Sequence, residues 1–538
     1  MRITQRSMYR NFVTNMNSNL SAYMESNIQS ASQKRINRPS DDPVGMARVL
    51  TYRSSLARTE QYLDNSKDAS AYLASTDSAL LQASTILATM LEKANQIATE
   101  TVTTENRLQA ASELRQLFGQ LLNLANTNFN GYHLFAGQKT ESPAYQEGLG
   151  ITTMDENLQG LPWIINGSAD RTIMVRFSTD GVIDPDTAHL DPDDPEYDPG
   201  TEITYEYSKD GGKTWITKTL AAGDTTLDLD GVTIKVPANT RVEAYDPDLD
   251  TTDENGNITN ISRVNGSVLF VRPTAYYMGD DSDPPPLVDS YGTFRTDTTH
   301  SVDAYGNFPV DVRIRLDEAA TMGAGGKVTY SYSLDNGVTW VTTTADIRAD
   351  NSNGTLRLQV PGGYLDVNAP VGETLEAGQQ FVIRPRRSDR GVEIAEGEFI
   401  TVTNCGKDIF GGVYTPVGSP GPVPAEGGNR NIFEVLSNLI AWAETGPSDG
   451  CGEAVAAVRE AIEGLQTSNA RVGGKEQRVS LNLTILQSHH DDQTTRMSTI
   501  EDADLFELLT RLSQQQLAYQ SILRSSSMIM NLSLLNYI

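Results

Sequence analysis

Apolar residues near both ends of the chain recur every three or four positions, whereas those in the middle alternate with polar ones. The 3–4 spacing over residues 69–97 runs for four heptads without Pro or Gly, which predicts a long helix packed as in a coiled coil. The spacing returns in residues 108–125 and 455–486. We therefore predict helical ends that pack together. The first seam consists of Ala69, Leu73, Thr76, Leu80, Ala83, Leu87, Met90, Ala94 and Ile97.

Each extreme terminus carries an apolar stripe on an otherwise polar helix. The N-terminal stripe consists of Met8, Phe12, Met16, Leu20, Met24 and Ile28. The C-terminal stripe consists of Leu505, Leu509, Leu512, Tyr519, Leu523, Leu532 and Leu535. Chain ends usually fray and are polar, and isolated helices of this kind are marginally stable. Each helix could dock on its own bundle, but a stripe at both ends favours burial by neighbouring subunits of a polymer.

The middle of the chain alternates as β-strands do. Residues 203–208 and 328–333 have the period of two, and Pro/Asp-rich loops lie between such runs. The segment TYEYSKDGGKTW at 204–215 matches TYSYSLDNGVTW at 329–340 with an offset of 125 residues. Flanking segments around Arg176 and Arg315 also match. We therefore predict two tandem copies of one β module, the first enlarged by acidic loops.

The repeated core, Ser-x-Asp-x-Gly-x-Thr-Trp, resembles the Asp-box of sialidases and other β-propeller proteins. In such a hairpin Asp accepts backbone N–H groups, Gly supplies a positive φ and Trp packs beneath the turn. Two boxes are too few for a propeller, so we predict structural turns, with glycan binding as the alternative. The predicted turn residues are Asp210, Gly212, Trp215, Asp335, Gly337 and Trp340.

Charge is concentrated in the middle of the chain. The net charge is −28, of which residues 141–425 carry −25. Such a segment repels nucleic acid and anionic lipid, so neither is an expected partner. No run approaches 18 apolar residues, and the N-terminus lacks the apolar core of a cleaved signal peptide. We therefore expect no membrane insertion.

No nucleotide-binding, zinc-protease or serine-hydrolase motif occurs in the chain. The run from His489 to Asp492 is predicted to be a surface patch, because adjacent helical residues point about 100° apart and chelate poorly. The acidic loop starting at Asp246 lacks the Gly and Glu of a calcium loop, so a calcium site there is a minor alternative. Cys405 and Cys451 allow at most one disulfide. We predict no enzymatic activity, metal or cofactor.

Three segments carry a family resemblance. They are KRINRPSDDPVGMARVL (34–50), NFNGYHLFAGQKTESPAY (128–145) and STIEDADLFELLTRLSQQQLAYQSILRSSSMIMNLSLLNYI (498–538). In the first, Pro39 and Pro43 break the helix and Ser40 or Asp41 is expected to cap the next one. In the second, Asn130-Gly131 predicts a hairpin turn. Together they resemble the bacterial flagellin superfamily, and the Tyr-x-Leu-Phe-x-Gly variant and the aromatic C-terminal ending are closer to its hook-associated protein 3 family.

The resemblance implies a structural component of the bacterial flagellum, a junction protein that links hook to filament and templates flagellin assembly. It implies export by the flagellar type III route without a cleaved signal peptide, with a cytoplasmic export chaperone. It also implies an extracellular position at the hook–filament junction, self-assembly into a ring or helical layer, and hook-associated protein 1 and flagellin as partners. A flagellin with an enlarged outer domain is the alternative, and a glycan-binding surface protein is a further one.

The predicted fold class is multidomain α + β. The N- and C-terminal helices form a long coiled-coil or helical bundle, and a large all-β insertion of two tandem modules lies at its tip. The predicted segments are an N-terminal axial helix (1–40), the N-terminal half of the bundle with its hairpin (41–145), acidic β module 1 (146–290), β module 2 (291–425), the C-terminal half of the bundle (426–504) and a C-terminal axial helix (505–538).

Overall fold

The structure is a computed structural model. It describes residues 5–99, 103–153, 155, 158, 161, 163–184, 201–246, 251–252, 258–260, 266–280, 284–308, 310–323, 326–348, 353–386, 391–415, 422–425, 431–445 and 448–535. Of the acidic loop considered for calcium, Asp248, Asp250 and Asp253 lie outside the described residues. No described helix has a stretch long and apolar enough to cross a membrane.

Seven helices lie within the described residues, and the long ones come from the two ends of the chain. They are α1 (Gln5–Ser32), α2 (Pro43–Ile97), α3 (Thr104–Ala125), α4 (Gly406–Ile409), α5 (Ile432–Thr445), α6 (Ser448–Glu501) and α7 (Leu505–Leu535). Every residue of the predicted seam in α2 is buried, which confirms the long packed helix that the 3–4 spacing predicts.

The strands fill the middle of the chain. They are β1 (Asn128–Phe129), β2 (Tyr132–His133), β3 (Tyr145–Thr153), β4 (Ile164–Gly167), β5 (Ile173–Phe177), β6 (Gly181–Ile183), β7 (Ile203–Ser208), β8 (Ile216–Leu220), β9 (Thr226–Asp228), β10 (Val232–Lys235), β11 (Thr240–Val242), β12 (Thr251–Thr252), β13 (Ile258–Asn260), β14 (Val268–Tyr277), β15 (Leu287–Tyr291), β16 (Ser301–Gly306), β17 (Val312–Leu316), β18 (Ala320–Thr321), β19 (Lys327–Ser333), β20 (Val341–Arg348), β21 (Asn353–Val360), β22 (Gly363–Pro370), β23 (Thr374–Leu375), β24 (Gln380–Arg384), β25 (Gly391–Ala395), β26 (Glu398–Thr401), β27 (Val413–Tyr414) and β28 (Val423–Pro424). The predicted multidomain α + β class is thereby confirmed.

The start of α2 corrects one expectation. The helix begins at Pro43, and the carboxylate of Asp42 accepts the backbone N–H of Gly45 at 2.9 Å, so Asp42 is the cap rather than Ser40 or Asp41. Asp41 instead accepts the N–H groups of Asn37 and Arg38 in the preceding turn. Those two hydrogen bonds, that from Arg38 foremost, hold the pKa of Asp41 below its usual value.

Two compact units divide the chain. Unit 1 comprises residues 1–70, 392–400 and 477–538, and unit 2 comprises residues 71–391 and 401–476. Unit 1 therefore contains α1, α7 and the adjoining parts of α2 and α6. Unit 2 contains the two large sheets. The six segment boundaries predicted from the sequence stay predictions.

Sheet 1 has the order β28-β27-β14-β5-β7-β8, and β3 also pairs with β14. Its inner face, with residues such as Val175, Tyr207 and Leu269, forms a buried core. β27 and β28 come from the predicted second module, yet they pair in sheet 1. The reason is that β5 covers only the first part of the ten-residue β14, which leaves the edge beside Tyr276 for Val413.

Sheet 2 has the order β15-β24-β17-β19-β20-β21-β22-β16. It encloses a separate core in which Ile314, Tyr330, Leu358 and Phe381 are fully buried. The smaller sheets of the described residues are β4-β10-β9, β11-β6, β12-β13, β18-β23, β25-β26 and the β1-β2 hairpin. Each large sheet therefore has its own hydrophobic core, as independent β modules require.

Candidate functional site

The terminal helices α1 and α7 pack against each other within unit 1. The rings of Tyr23 and Tyr519 stack with centroids 6.4 Å apart and planes 4° apart. Ser26 of α1 and Leu508 of α7 are buried. The two ends of the sequence thus form one helix pair, with tyrosines stacked across its interface.

Much of both predicted stripes is nevertheless open to solvent. Met24, Ile28, Leu505, Leu509 and Leu523 are exposed. Phe12, Met16, Leu20, Leu512 and Tyr519 are partly buried. The side chains of Met8, Leu532 and Leu535 lie outside the described residues, although their backbones lie in α1 and α7. Exposed apolar rows of this extent mark interaction surfaces.

Among the described side chains of the helix pair, Phe506 is the most exposed large apolar one, at 87%. It falls outside the predicted stripe because it follows Leu505 directly and so points to another side of α7. The carboxylate of Asp504 caps this helix by accepting the backbone N–H groups of Phe506 at 2.9 Å and Glu507 at 3.2 Å. The cap fixes where α7 begins and therefore which residues it presents.

A short backbone junction joins the residues that follow α1 to the residues that precede α7. The N–H of Arg35 donates to the carbonyl of Glu501 at 2.7 Å, and the N–H of Ala503 donates to the carbonyl of Gln33 at 3.1 Å. Lys34 and Asp502 are opposite one another in an isolated antiparallel bridge. Residues 33–36 and 500–503 together form this junction, which we call the clasp.

A buried carboxylate ties the clasp together. The side chain of Glu501 is only 3% exposed, and it accepts hydrogen bonds from Lys34 at 2.6 Å and from Arg53. The side chains of Lys34 and Arg53 are partly exposed to water. Of the three charged groups, the Glu501 carboxylate is therefore the one that the clasp buries. Lys34 and Glu501 belong to segments already singled out, Lys-Arg-Ile-Asn-Arg-Pro and Ile-Glu-Asp-Ala-Asp. Sequence reasoning missed that these two segments bind each other.

The first Asp-box turn is held by side-chain hydrogen bonds. The carboxylate of Asp210 accepts the N–H groups of Lys213 and Thr214 at 3.0 and 2.9 Å and the Thr214 hydroxyl at 2.6 Å. Gly212 has φ of 87° and donates its N–H to the hydroxyl of Ser208 at 2.9 Å. Burial acts to raise the pKa of Asp210, but the hydrogen bonds from Thr214, Ser208 and Lys213 outweigh it and bring that pKa to about 2.

The second turn repeats this arrangement. Asp335 accepts the N–H of Thr339 at 2.8 Å and its hydroxyl at 2.6 Å, and Gly337 donates to Ser333 at 2.8 Å with φ of 94°. Hydrogen bonds from Thr339 and then Ser333 lower the pKa of Asp335 to about 2. These bonds are local to the hairpin, which supports a structural role for both turns.

Each Asp-box tryptophan lies under a guanidinium group. The Arg176 guanidinium is 3.9 Å from the ring centroid of Trp215, and that of Arg315 is 4.7 Å from the ring centroid of Trp340. Both tryptophans are half-buried. The stacked cation covers one face of each ring, and that face is therefore not available for a sugar to stack on.

The histidine and cysteine side chains considered for metal binding or catalysis have ordinary surroundings. His490 contacts Glu60 at 3.6 Å and Asp491 at 3.4 Å, and no group of three or more His, Cys, Asp or Glu in the described part of the chain is placed to hold a metal ion. Cys405 and Cys451 do not form a disulfide with each other. Burial raises the pKa of the Cys451 thiol to about 11, so it is protonated at neutral pH and is not activated as a nucleophile.

The second family segment folds into the predicted hairpin. Asn128 pairs with His133 and Phe129 with Tyr132. Asn130 and Gly131 between them have φ of 53° and 87°, as a tight two-residue turn requires.

Known proteins resemble parts of this chain. Residues 3–140 match the bacterial flagellin N-terminal helical region. The flagellar hook-associated protein 3 of Salmonella typhimurium is 30% identical over 151 residues, 28% of this chain and 48% of that protein. Flagellin B of Helicobacter pylori is 36% identical over 108 residues, 20% of this chain and 21% of that protein.

Two solved structures also align over most of the chain. The crystal structure of Xanthomonas campestris FlgL covers 83% of this chain and 99% of that one, with 12% identity and a TM-score of 0.29. The flagellar junction protein FlgL from Legionella pneumophila covers 84% and 99%, with 12% identity and a TM-score of 0.29. These TM-scores are too low to establish a shared fold.

The match to hook-associated protein 3 spans about half the length of those relatives. The family similarity thus rests on the flagellin-type helical region and on a partial alignment. The resemblance predicted from the sequence is thereby confirmed as a similarity: residues 3–140 match the bacterial flagellin N-terminal helical region, and 151 residues are similar to flagellar hook-associated protein 3.

Proposed function

We propose that this chain is a structural, non-enzymatic component of the bacterial flagellum that forms the junction between hook and filament. The observation that carries the proposal is the α1–α7 pair, in which both ends of the sequence lie together with an exposed apolar surface that includes Met24, Leu509 and Phe506. An assembled layer of subunits buries such a surface, and a lone subunit leaves it in water.

The proposed partners follow from the junction role. Subunits assemble with one another into a ring or helical layer through the terminal helices. One side of that layer binds hook-associated protein 1, and the other starts the flagellin filament. An export chaperone covers the terminal helices in the cytoplasm, and the chain leaves through the type III export channel without a cleaved signal peptide. The similarity to flagellar hook-associated protein 3 supports these assignments.

A deletion strain tests the proposal. Cells without this chain are expected to export flagellin into the medium and to carry hooks without filaments, as seen by electron microscopy and immunoblotting of the medium. Expression of the wild-type chain should restore filaments. Normal filaments in the deletion strain would refute the junction role.

A filament subunit with an enlarged outer domain is the second candidate. The observation in its favour is the 36% identity to Flagellin B of Helicobacter pylori over 108 residues. Purified chain added to sheared filament fragments would then extend them into long filaments. A junction protein would stop at a short cap, so the length of the added segment separates the two functions.

A further inference from the structure

Residues 292–300 form a surface loop that connects β15 to β16, the first and last strands in the order of sheet 2. Within this loop, Phe294 is buried and His300 is partly buried, whereas the other residues are exposed. Exposed backbone of this kind has little to hold it in place except specific side-chain contacts. The contacts of Phe294 and His300 therefore decide how firmly loop 292–300 is attached.

The first attachment is made at Phe294. Its ring is only 6% exposed and packs edge-to-face on the ring of Phe381, with centroids 5.8 Å apart. The side-chain carbonyl of Gln379 accepts the backbone N–H groups of Thr293 at 3.0 Å and Phe294 at 3.2 Å. Neither an aromatic ring nor an amide titrates between pH 5 and 10. This attachment is therefore independent of pH.

The second attachment is made by the imidazole of His300. Its Nδ1 lies 2.7 Å from a carboxylate oxygen of Asp297, and its Nε2 lies 2.7 Å from a carboxylate oxygen of Glu373. Asp297 belongs to the same loop, whereas Glu373 lies in the turn between β22 and β23. These two carboxylates are the charged groups that act on the imidazole. The ring therefore connects loop 292–300 to that turn.

This geometry needs two ring protons. An ionised carboxylate only accepts hydrogen bonds, so each ring nitrogen must donate one, and only the imidazolium form has two N–H groups. Asp297 is held beside Nδ1, because it also accepts the backbone N–H groups of Thr299 at 2.7 Å and His300 at 2.9 Å. A neutral ring that keeps the Nδ1 proton turns the lone pair of Nε2 toward the carboxylate of Glu373. The bond to Glu373 is therefore the one that deprotonation breaks.

We propose that His300 is a pH-dependent link: its imidazolium holds loop 292–300 to Glu373, and loss of the Nε2 proton frees residues 295–300 while Phe294 stays in the core. Hydrogen bonds to Asp297 and then to Glu373 raise the pKa of His300 above the ordinary value of 6.5. A raised folded pKa gives an attachment that is complete below the unfolded pKa and is lost as pH rises through the folded one. Release therefore occurs above pH 6.5.

The protonation of His300 is measured in the full-length chain labelled with 13C at the ε1 carbon of histidine. The chain has five histidines, and His300→Gln identifies the resonance that belongs to His300. We expect this resonance to titrate above pH 6.5 in the wild type and at lower pH in Glu373→Gln, which lacks one of the two carboxylates. The matched control is Glu376→Gln, which changes an exposed carboxyl three residues along and should leave the titration unchanged. A wild-type His300 that titrates at or below pH 6.5 would overturn the proposal.

Release of the loop is measured by trypsin cleavage after Arg295, an exposed residue of the loop. The cleavage rate at pH 6 and at pH 9 is divided by that of a peptide of residues 291–300 at the same pH, which removes the pH dependence of trypsin itself. We expect this relative rate to increase several-fold from pH 6 to pH 9 in the wild type and in Glu376→Gln.

Glu373→Gln should remove the pH dependence of cleavage. Its amide oxygen can accept from the imidazolium, and its amide N–H can donate to the bare Nε2 of the neutral ring, so the link persists at both pH values. Equal relative rates at pH 6 and pH 9 in the wild type would contradict the pH-dependent link. An undiminished pH dependence in Glu373→Gln would contradict it as well, because the release would then come from a group other than the His300–Glu373 pair.

Discussion

The terminal helices and the β modules differ in how much of their apolar surface is buried by the same chain. Each large sheet encloses a core of its own, and residues such as Val271 in sheet 1 and Leu365 in sheet 2 are fully buried by the same chain. Among the described side chains, the α1–α7 pair has no comparable core: it shares the Tyr23–Tyr519 stack and the clasp, and leaves Leu509 exposed. The β modules therefore bury their cores within one subunit, whereas we propose that neighbouring subunits complete the helix pair.

The largest effect should come from removing one partner of the helix pair. Deletion of residues 505–538 removes α7, and we expect complete loss of incorporation into flagella, scored by electron microscopy. The main calorimetric transition of the β modules should stay at the same temperature, because their cores contain no residue of α7. A full-length chain with Leu509→Ser and Phe506→Ser is the matched control for length; it should assemble poorly without any loss of helix. Truncated chains that still join flagella would disprove the proposed role of α7.

Breaking the ion pair between Glu434 of α5 and Arg272 of β14 should act on the β modules instead. Glu434→Ala leaves the guanidinium of Arg272 buried without its carboxylate, which costs about 3 kcal/mol of unfolding free energy. Urea unfolding followed by Trp fluorescence measures this. Arg272→Met combined with Glu434→Leu removes both charges and should recover most of the stability. A double variant as unstable as Glu434→Ala would show that the loss comes from something other than the unpaired charge.

A substitution in the clasp should lower the stability by less. Glu501→Ala removes the acceptor of Lys34 and Arg53, and because both cations are partly exposed they can rehydrate. We expect a loss of about 1 kcal/mol, confined to the terminal helices. Thermal unfolding followed by circular dichroism at 222 nm reads the helical signal.

The matched control is Glu507→Ala, which removes an exposed i,i+4 pair with Arg511. That substitution should change the stability by only a few tenths of a kcal/mol. Equal losses of stability from Glu501→Ala and Glu507→Ala would mean that the clasp contributes no more than an exposed ion pair does.

Local sequence patterns predicted the helices, the repeat and the hairpin correctly, because each of these depends on the spacing of nearby residues. The seam from Ala69 to Ile97 and the turn at Asn130-Gly131 need no knowledge of distant residues. The clasp does need it: Lys34 and Glu501 are 467 positions apart, and no periodicity links them. The capping residue of α2 was predicted wrongly for a simpler reason. Ser40, Asp41 and Asp42 are adjacent and can all cap a helix, and Asp41 instead accepts hydrogen bonds in the preceding turn.

The smallest effect is a pH dependence of the Asp-box hairpins. The folded pKa of Asp210 and of Asp335 is about 2, below the ordinary value of 3.8. A depressed folded pKa gives stability that is present above the unfolded pKa and is lost as pH falls toward the folded one. We expect Asp335→Asn to lower the melting temperature of the modules at pH 6 and to make less difference at pH 2.5. An equal difference at both pH values would contradict an ionised Asp335 in the turn.

Hydrogen exchange tests most directly whether the helix pair depends on neighbours while the β modules do not. Amide exchange is measured by mass spectrometry on the free subunit and on subunits assembled in flagella. Strands such as β14 and β19 should be protected to the same extent in both states. Peptides from α1 and α7 should exchange rapidly in the free subunit and become strongly protected on assembly. Full protection of α1 and α7 in the free subunit would contradict the account.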